Sequence, residues 1–121
     1  MIKIVYCMRR KVGLSPQEFL SHWEQVHAPI VLANLDVLHL ARYVRTQPVA
    51  HAFSQRVERR GLMQSPYDGI AELAWRTEED MRAGFESPEA LAVQRLLARD
   101  ESLFVDHVGS CRWVASETIE I

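Results

Sequence analysis

Cysteine is nearly missing from this 121-residue chain. Cys7 and Cys111 are the only two, with none of the C-x-x-C spacing that a metal knuckle or a dithiol redox motif needs. Glycine is scarce as well, with five residues, and none of them completes a G-x-G-x-x-G, a Walker loop or a G-x-S-x-G elbow. Nucleotide binding and serine-hydrolase chemistry therefore have no support. Long apolar runs are absent, so no membrane span is expected, and Met1 leads straight into strand-like sequence without a basic-then-apolar leader. A cytoplasmic chain is expected, in which both cysteines are buried, reduced thiols. Neither sign of charge dominates: 14 Lys+Arg stand against 16 Asp+Glu, a net charge of −2. No nucleic-acid and no membrane partner follows from that balance.

The composition is that of an ordinary globular protein, and the length suits one domain over residues 1–121 with a core of its own. Ile2 to Met8 reads as a strand with apolar residues on both faces, hence covered on both sides. Arg9, Arg10 and Lys11 mark its exit. Ser15 to Pro29 reads as a short helix. Ser15 caps it, Pro16 fits its first position, and Glu18 completes a capping box. Phe19, Trp23 and His27 follow at four-residue steps along one face, and Pro29 is expected to end the helix. Ile30 to Leu38 is left open between a loose helical turn and a loop.

Leu40 to Gln47 reads as the second strand. Ala50 to Ser65 reads as a long connection, either a solvated excursion or a lid over a pocket. Tyr67 to Trp75 is the third strand, with Asp68, Ile70, Glu72 and Ala74 on one face and the small residues Gly69 and Ala71 on the other. Thr77 caps a following helix and Ser87-Pro88-Glu89 restarts it, with Leu91, Leu96 and Leu97 expected in the core. Cys111 to Ile121 supplies the last strand. The order β-α-β, loop, β-α-β predicts an α+β, ferredoxin-like fold with a four-stranded antiparallel sheet and helices on one face. Its first and last strands are neighbours, which brings Cys7 toward Cys111. The apolar open face calls for a second subunit, so a homodimer is expected.

Three stretches carry a resemblance: IKIVYCMRRKVGLSPQEFLSHWEQVHAPIV, YDGIAELAW, and the Ser-Pro-Glu helix start. With these the chain resembles the EthD-like family of the dimeric α+β-barrel superfamily. The resemblance implies two sheets facing each other across a dimer and enclosing a mainly apolar pocket. It also implies small-molecule degradation or cofactor-free chemistry on aromatic and polyketide-like compounds. His27 matches the family's H-x-P histidine, and Asp68 and Glu72 fall in its third-strand motif.

His27 is accordingly a candidate acid or base, with Asp68 as its supporting carboxylate. A helix carboxyl end would raise its pKa. The competing reading makes His27 a helix cap packed beside Trp23. Tyr6, Trp23, Tyr43, Glu72 and His107 are the substrate-binding candidates, with Glu72 equally suited to an ion pair with Arg42 or Arg45. His22 and His27 are five residues apart, too far round a regular helix to form a two-histidine metal motif. No metal and no cofactor is expected. The expected function is cofactor-independent proton transfer (isomerase, dehydratase or decarboxylase type) on a small hydrophobic or aromatic molecule. The alternatives are a non-catalytic ligand-binding protein and a cofactor-free oxygenase.

Overall fold

The computed structural model describes residues 1–121. Four strands, β1 (Ile2–Arg10), β2 (Arg42–Thr46), β3 (Gly69–Trp75) and β4 (Val105–Ser116), form one antiparallel sheet in the order β2-β3-β1-β4. This is the expected ferredoxin-like, α+β arrangement. β4 begins six residues before the expected start, so Ile119 and Ile121 lie beyond it and are exposed. The pairing of β1 with β4 is interrupted after Cys7–Cys111, and it resumes at Arg9–Asp106. Residues 107–110 bulge out there, with Val108 98% exposed, which is why the segment's composition gave no strand signal.

Register fixes what each face carries. Tyr6 lies opposite Ala71 and Arg112, and with Met8, Phe19, Trp23 and Phe104 it builds the main core under the helices. On the other face Val5 lies between Glu72 and Trp113, and Cys7 between Ile70 and Cys111. Both cysteines are free, Cys7 buried and Cys111 exposed. Burial pushes the Cys7 thiol up from its ordinary pKa.

The capped helix starts as its sequence dictates. Ser15 accepts from the Glu18 backbone N–H and the Glu18 carboxylate accepts from that of Ser15, so the first turn of α1 (Pro16–His22) is closed reciprocally. Its end differs from expectation. The chain widens into a π-helical turn, Trp23–His27, and continues as α2 (Ala28–Ala33) and α3 (Leu35–Leu38). Pro29 lacks an N–H, but it falls in the first turn of α2, just past the i→i+5 turn, where that missing donor costs no helical bond. The proline therefore permits the helix to go on.

The π turn also straightens the aromatic stripe. A four-residue step on an α-helix overshoots a full turn by about 40°. A wider turn takes some of this back, and Phe19, Trp23 and His27 all end buried. Trp23 lies directly on the sheet over Gly69, where an added Cβ would sit 2.3 Å from its ring. The small residue read in the third strand is thus the seat of this indole.

The 50–65 connection holds one short helix, α4 (Ser54–Glu58), and carries Phe53, Val57 and Leu62 exposed. α5 (Glu78–Glu86) and α6 (Pro88–Glu101) are capped by Thr77 and Ser87 as expected. In α6 only Ala90, Leu97 and Asp100 are buried. Leu91 and Leu96, each 41% exposed, point away from the sheet because the inward face runs through 90, 97 and 100 instead.

Candidate active site

A cavity of about 280 Å³ lies between the helices and the sheet of a single chain. It lies on the helix side of the sheet, the face opposite the one on which the resemblance implies a second sheet. Fourteen of its eighteen lining residues are hydrophobic, the tyrosines included, and the other four are His27, Gln94, Glu101 and Arg112. Gln94 is occupied structurally, donating to the Gly84 carbonyl at 3.0 Å.

His27 reaches this wall from the end of the π turn. Its Nδ1 lies 2.8 Å from Asp100 Oδ2, and both side chains are almost fully buried. A carboxylate partner makes Nδ1 the protonated nitrogen, so Nε2 carries the free lone pair. Nε2 lies 3.9 Å from Glu101 Oε1. His22 holds the other side of Asp100, with Nε2 at 3.1 Å from Oδ1 and 3.2 Å from Oδ2. An i→i+5 turn brings residues 22 and 27 to one carboxylate, although a regular helix would separate them. Phe104, fully buried, packs against both imidazoles, at 4.7 Å from His22 and 5.1 Å from His27 between ring centroids.

The electrostatics separate the two titratable groups in the expected sense for an acid–base pair. Burial is the largest influence on His27 and lowers its pKa, with the Asp100 hydrogen bond opposing it in part. This reverses the expected upward shift, because His27 is not at a helix end. Burial raises the Glu101 carboxyl, with Arg112 acting the other way and Asp100 adding to the rise. Tyr6, in the same wall, is pushed up to about 12, chiefly by burial and then by Glu101. Burial thus shifts both groups toward their uncharged forms, His27 downward and Glu101 upward.

The remaining sequence candidates fall in three places. Tyr6, Trp23 and Tyr43 line the cavity, with Trp23 Nε1 donating to the Tyr43 hydroxyl at 3.2 Å. His107 is an exposed member of β4 whose Nδ1 lies 3.3 Å from the Tyr6 hydroxyl, outside the cavity lining. Glu72 and Asp68 are elsewhere. Glu72 is on the opposite face of the sheet, paired with Lys3 at 2.7 Å, and Arg42 reaches Glu117 rather than Glu72. Asp68 precedes β3, where its carboxylate binds the Arg10 backbone N–H and guanidinium, both at 2.8 Å. The structure does not bring Asp68 to His27.

Asp100 and Glu101 escaped sequence reasoning, yet they left a signal. Two carboxylates end α6, where the helix dipole disfavours negative charge by about 0.3–1 kcal/mol each. Acids placed against the dipole break a local rule of helix stability, which sets this end of α6 apart. Arg112, opposite Tyr6 in the register, had no such mark.

The fold and this wall define a ferredoxin-like α+β domain with an acid–base cluster buried between sheet and helices. A family model described as EthD domain matches residues 11–108. The chain belongs to the EthD domain family. Solved structures agree on the fold. An EthD (ethyl tert-butyl ether) family protein of Bacillus halodurans superposes with a TM-score of 0.63 at 17% identity, over 98% of this chain and 99% of that one. An EthD-like protein of Ralstonia eutropha gives 0.64 at 12% identity, over 99% and 94%. A dimeric protein of ferredoxin-like fold from Bacteroides fragilis gives 0.59 at 7% identity, over 96% and 95%. No curated protein matches the chain in sequence. No helix is long and apolar enough to cross a membrane.

Proposed function

We propose that this protein is a small-molecule enzyme that moves a proton on a hydrophobic or aromatic compound held between its sheet and its helices. The observation that carries this reading is the series Asp100–His27–Glu101 on the wall of a mainly apolar cavity. His27 Nε2 is the base. Asp100 holds the tautomer and stabilises the imidazolium once it forms. Glu101, whose carboxyl pKa is raised by burial, is the acid that supplies or shares the second proton. Acid and base both come from the chain, so isomerisation, dehydration or decarboxylation can proceed by these groups alone. The work is done in a cytoplasmic setting by a homodimer whose second copy covers the open sheet face, where Trp113 is 48% exposed. The dimeric state of the Bacteroides fragilis protein supports that assembly.

The test is proton exchange. Apolar aryl ketones such as 2-tetralone are incubated with the protein in D₂O, and loss of the α-proton is followed by NMR. Catalysed exchange that disappears in His27→Ala supports the reading. Ligands retained tightly without exchange, with His27→Gln having no effect on retention, would replace it with a binding protein.

A further inference from the structure

We infer that Tyr43 is the oxyanion donor of this cavity, and that its ligand is an apolar molecule carrying a carbonyl or enolic oxygen. The inference rests on the proton-transfer reading above and names the substrate class for it. Tyr43 lies in β2 opposite Leu73, on the helix side of the sheet, and lines the cavity. Its hydroxyl makes one hydrogen bond within the chain, accepting from Trp23 Nε1 at 3.2 Å. A phenol has one proton to give and this one has not been given. In apolar surroundings an unspent donor is costly, and it becomes favourable when an oxygen that gains charge is set before it.

The donor is also held in place. Trp23 is fully buried and its ring is seated on Gly69 so closely that no Cβ fits between them. The indole N–H that orients the Tyr43 hydroxyl is therefore backed by the sheet. Burial raises the pKa of Tyr43, more than the Trp23 bond lowers it, so the proton stays on the phenol. Arg45 stacks over the Trp23 ring at 5.5 Å and adds a cation behind the pair.

The step balances without any further reactant. His27 Nε2 takes a proton from the carbon beside the carbonyl, and the C–H electron pair becomes the C=C bond of an enolate. The carbonyl π pair moves to oxygen, and Tyr43 donates a hydrogen bond to that oxygen while keeping its own proton. Return of the proton from His27 to the same or a conjugated carbon completes exchange or isomerisation. Where Glu101 delivers the proton instead, His27 then passes its own to that carboxylate, 3.9 Å away.

The probes are 2-naphthol, an enolate-like hydroxyl, and its near-isostere 2-methylnaphthalene, measured by equilibrium dialysis. Wild type should prefer 2-naphthol by about tenfold, which corresponds to about 1.4 kcal/mol. Tyr43→Phe should bring the ratio near one while 2-methylnaphthalene binds as before. A second readout uses wild type alone: the Tyr43 Cζ resonance should shift with 2-naphthol and not with 2-methylnaphthalene. A preference that survives Tyr43→Phe, or equal binding of the two probes to wild type, overturns the Tyr43 inference and leaves the proton-transfer reading standing. If wild type binds neither probe, the cavity reading fails and the inference fails with it.

Discussion

His27 Nδ1 and Asp100 Oδ2 lie 2.8 Å apart in a buried contact that joins the π turn after α1 to the last turn of α6. The two residues are 73 positions apart, and each is on the face of its helix that looks toward the sheet. Such a contact fixes which imidazole nitrogen is basic, so its loss should show in both rate and pH dependence. Asp100→Asn is expected to lower catalysed exchange by roughly 10²–10⁴-fold. It should also move the acidic limb of the profile downward. Asp100 is what raises the His27 pKa against burial, and without it burial and the neighbouring His22 both act to lower it. Asp68→Asn, at the Arg10 end of the sheet, should leave rate and profile as they are.

Glu101 links the site to stability. Its pKa is raised in the fold above the ordinary carboxylate value of 4.5, so the folded chain holds a proton that the unfolded chain has already lost. Its stabilising contribution is complete below that value and disappears as pH rises through the folded pKa. Above the folded pKa wild type therefore carries the cost of a buried carboxylate. Glu101→Gln should be more stable than wild type there, and the difference should shrink as pH falls below 4.5. Urea unfolding at a series of pH values measures this directly.

Gly69→Ala tests how rigidly Trp23 is seated. The added methyl would lie 2.3 Å from the ring of a fully buried Trp23. Overpacking of this kind costs about 1–3 kcal/mol. A thermal midpoint lowered by several degrees is expected, together with loss of 2-naphthol binding as the indole and Tyr43 are displaced. An unchanged midpoint would mean that the indole has room to move.

His22 has a role that activity alone would not reveal. It touches Asp100 from the solvent side, so it holds the residue that holds the base. His22→Phe preserves the ring against Phe104 and removes only the N–H donor. The fold should persist by near-UV circular dichroism, while catalysed exchange falls by less than in Asp100→Asn. His22→Gln, which restores a donor, should recover part of it.

How much of this was legible in the sequence depends on the range of the interaction. The capping box of Ser15 and Glu18, the Thr77 and Ser87 caps, the strand order and the Cys7–Cys111 approach all follow from local chemistry or from topology. Pro29 misled because proline stops a helix only where a regular i→i−4 bond is required, and the π turn removes that requirement. The same turn made His22 and His27 partners. Asp68 is favoured by sequence as a strand-end residue of the third-strand motif that alternation sets on one face with Glu72. The strand begins at Gly69, however, and alternation says nothing about a residue outside it. Asp100 and Glu101 lie 73 and 74 positions from His27, beyond the reach of any local rule. Their placement against the dipole of α6 was the one trace these two left, whereas His27, Tyr6, Trp23 and Tyr43 were legible as candidates.

The central claim is that His27 is a neutral base with its proton on Nδ1. Nitrogen-15 NMR of the imidazole ring during a pH titration tests it without any substrate. The account predicts the Nδ1–H tautomer, with a midpoint below the ordinary histidine value of 6.5. A proton on Nε2, or a midpoint above 6.5, would contradict it.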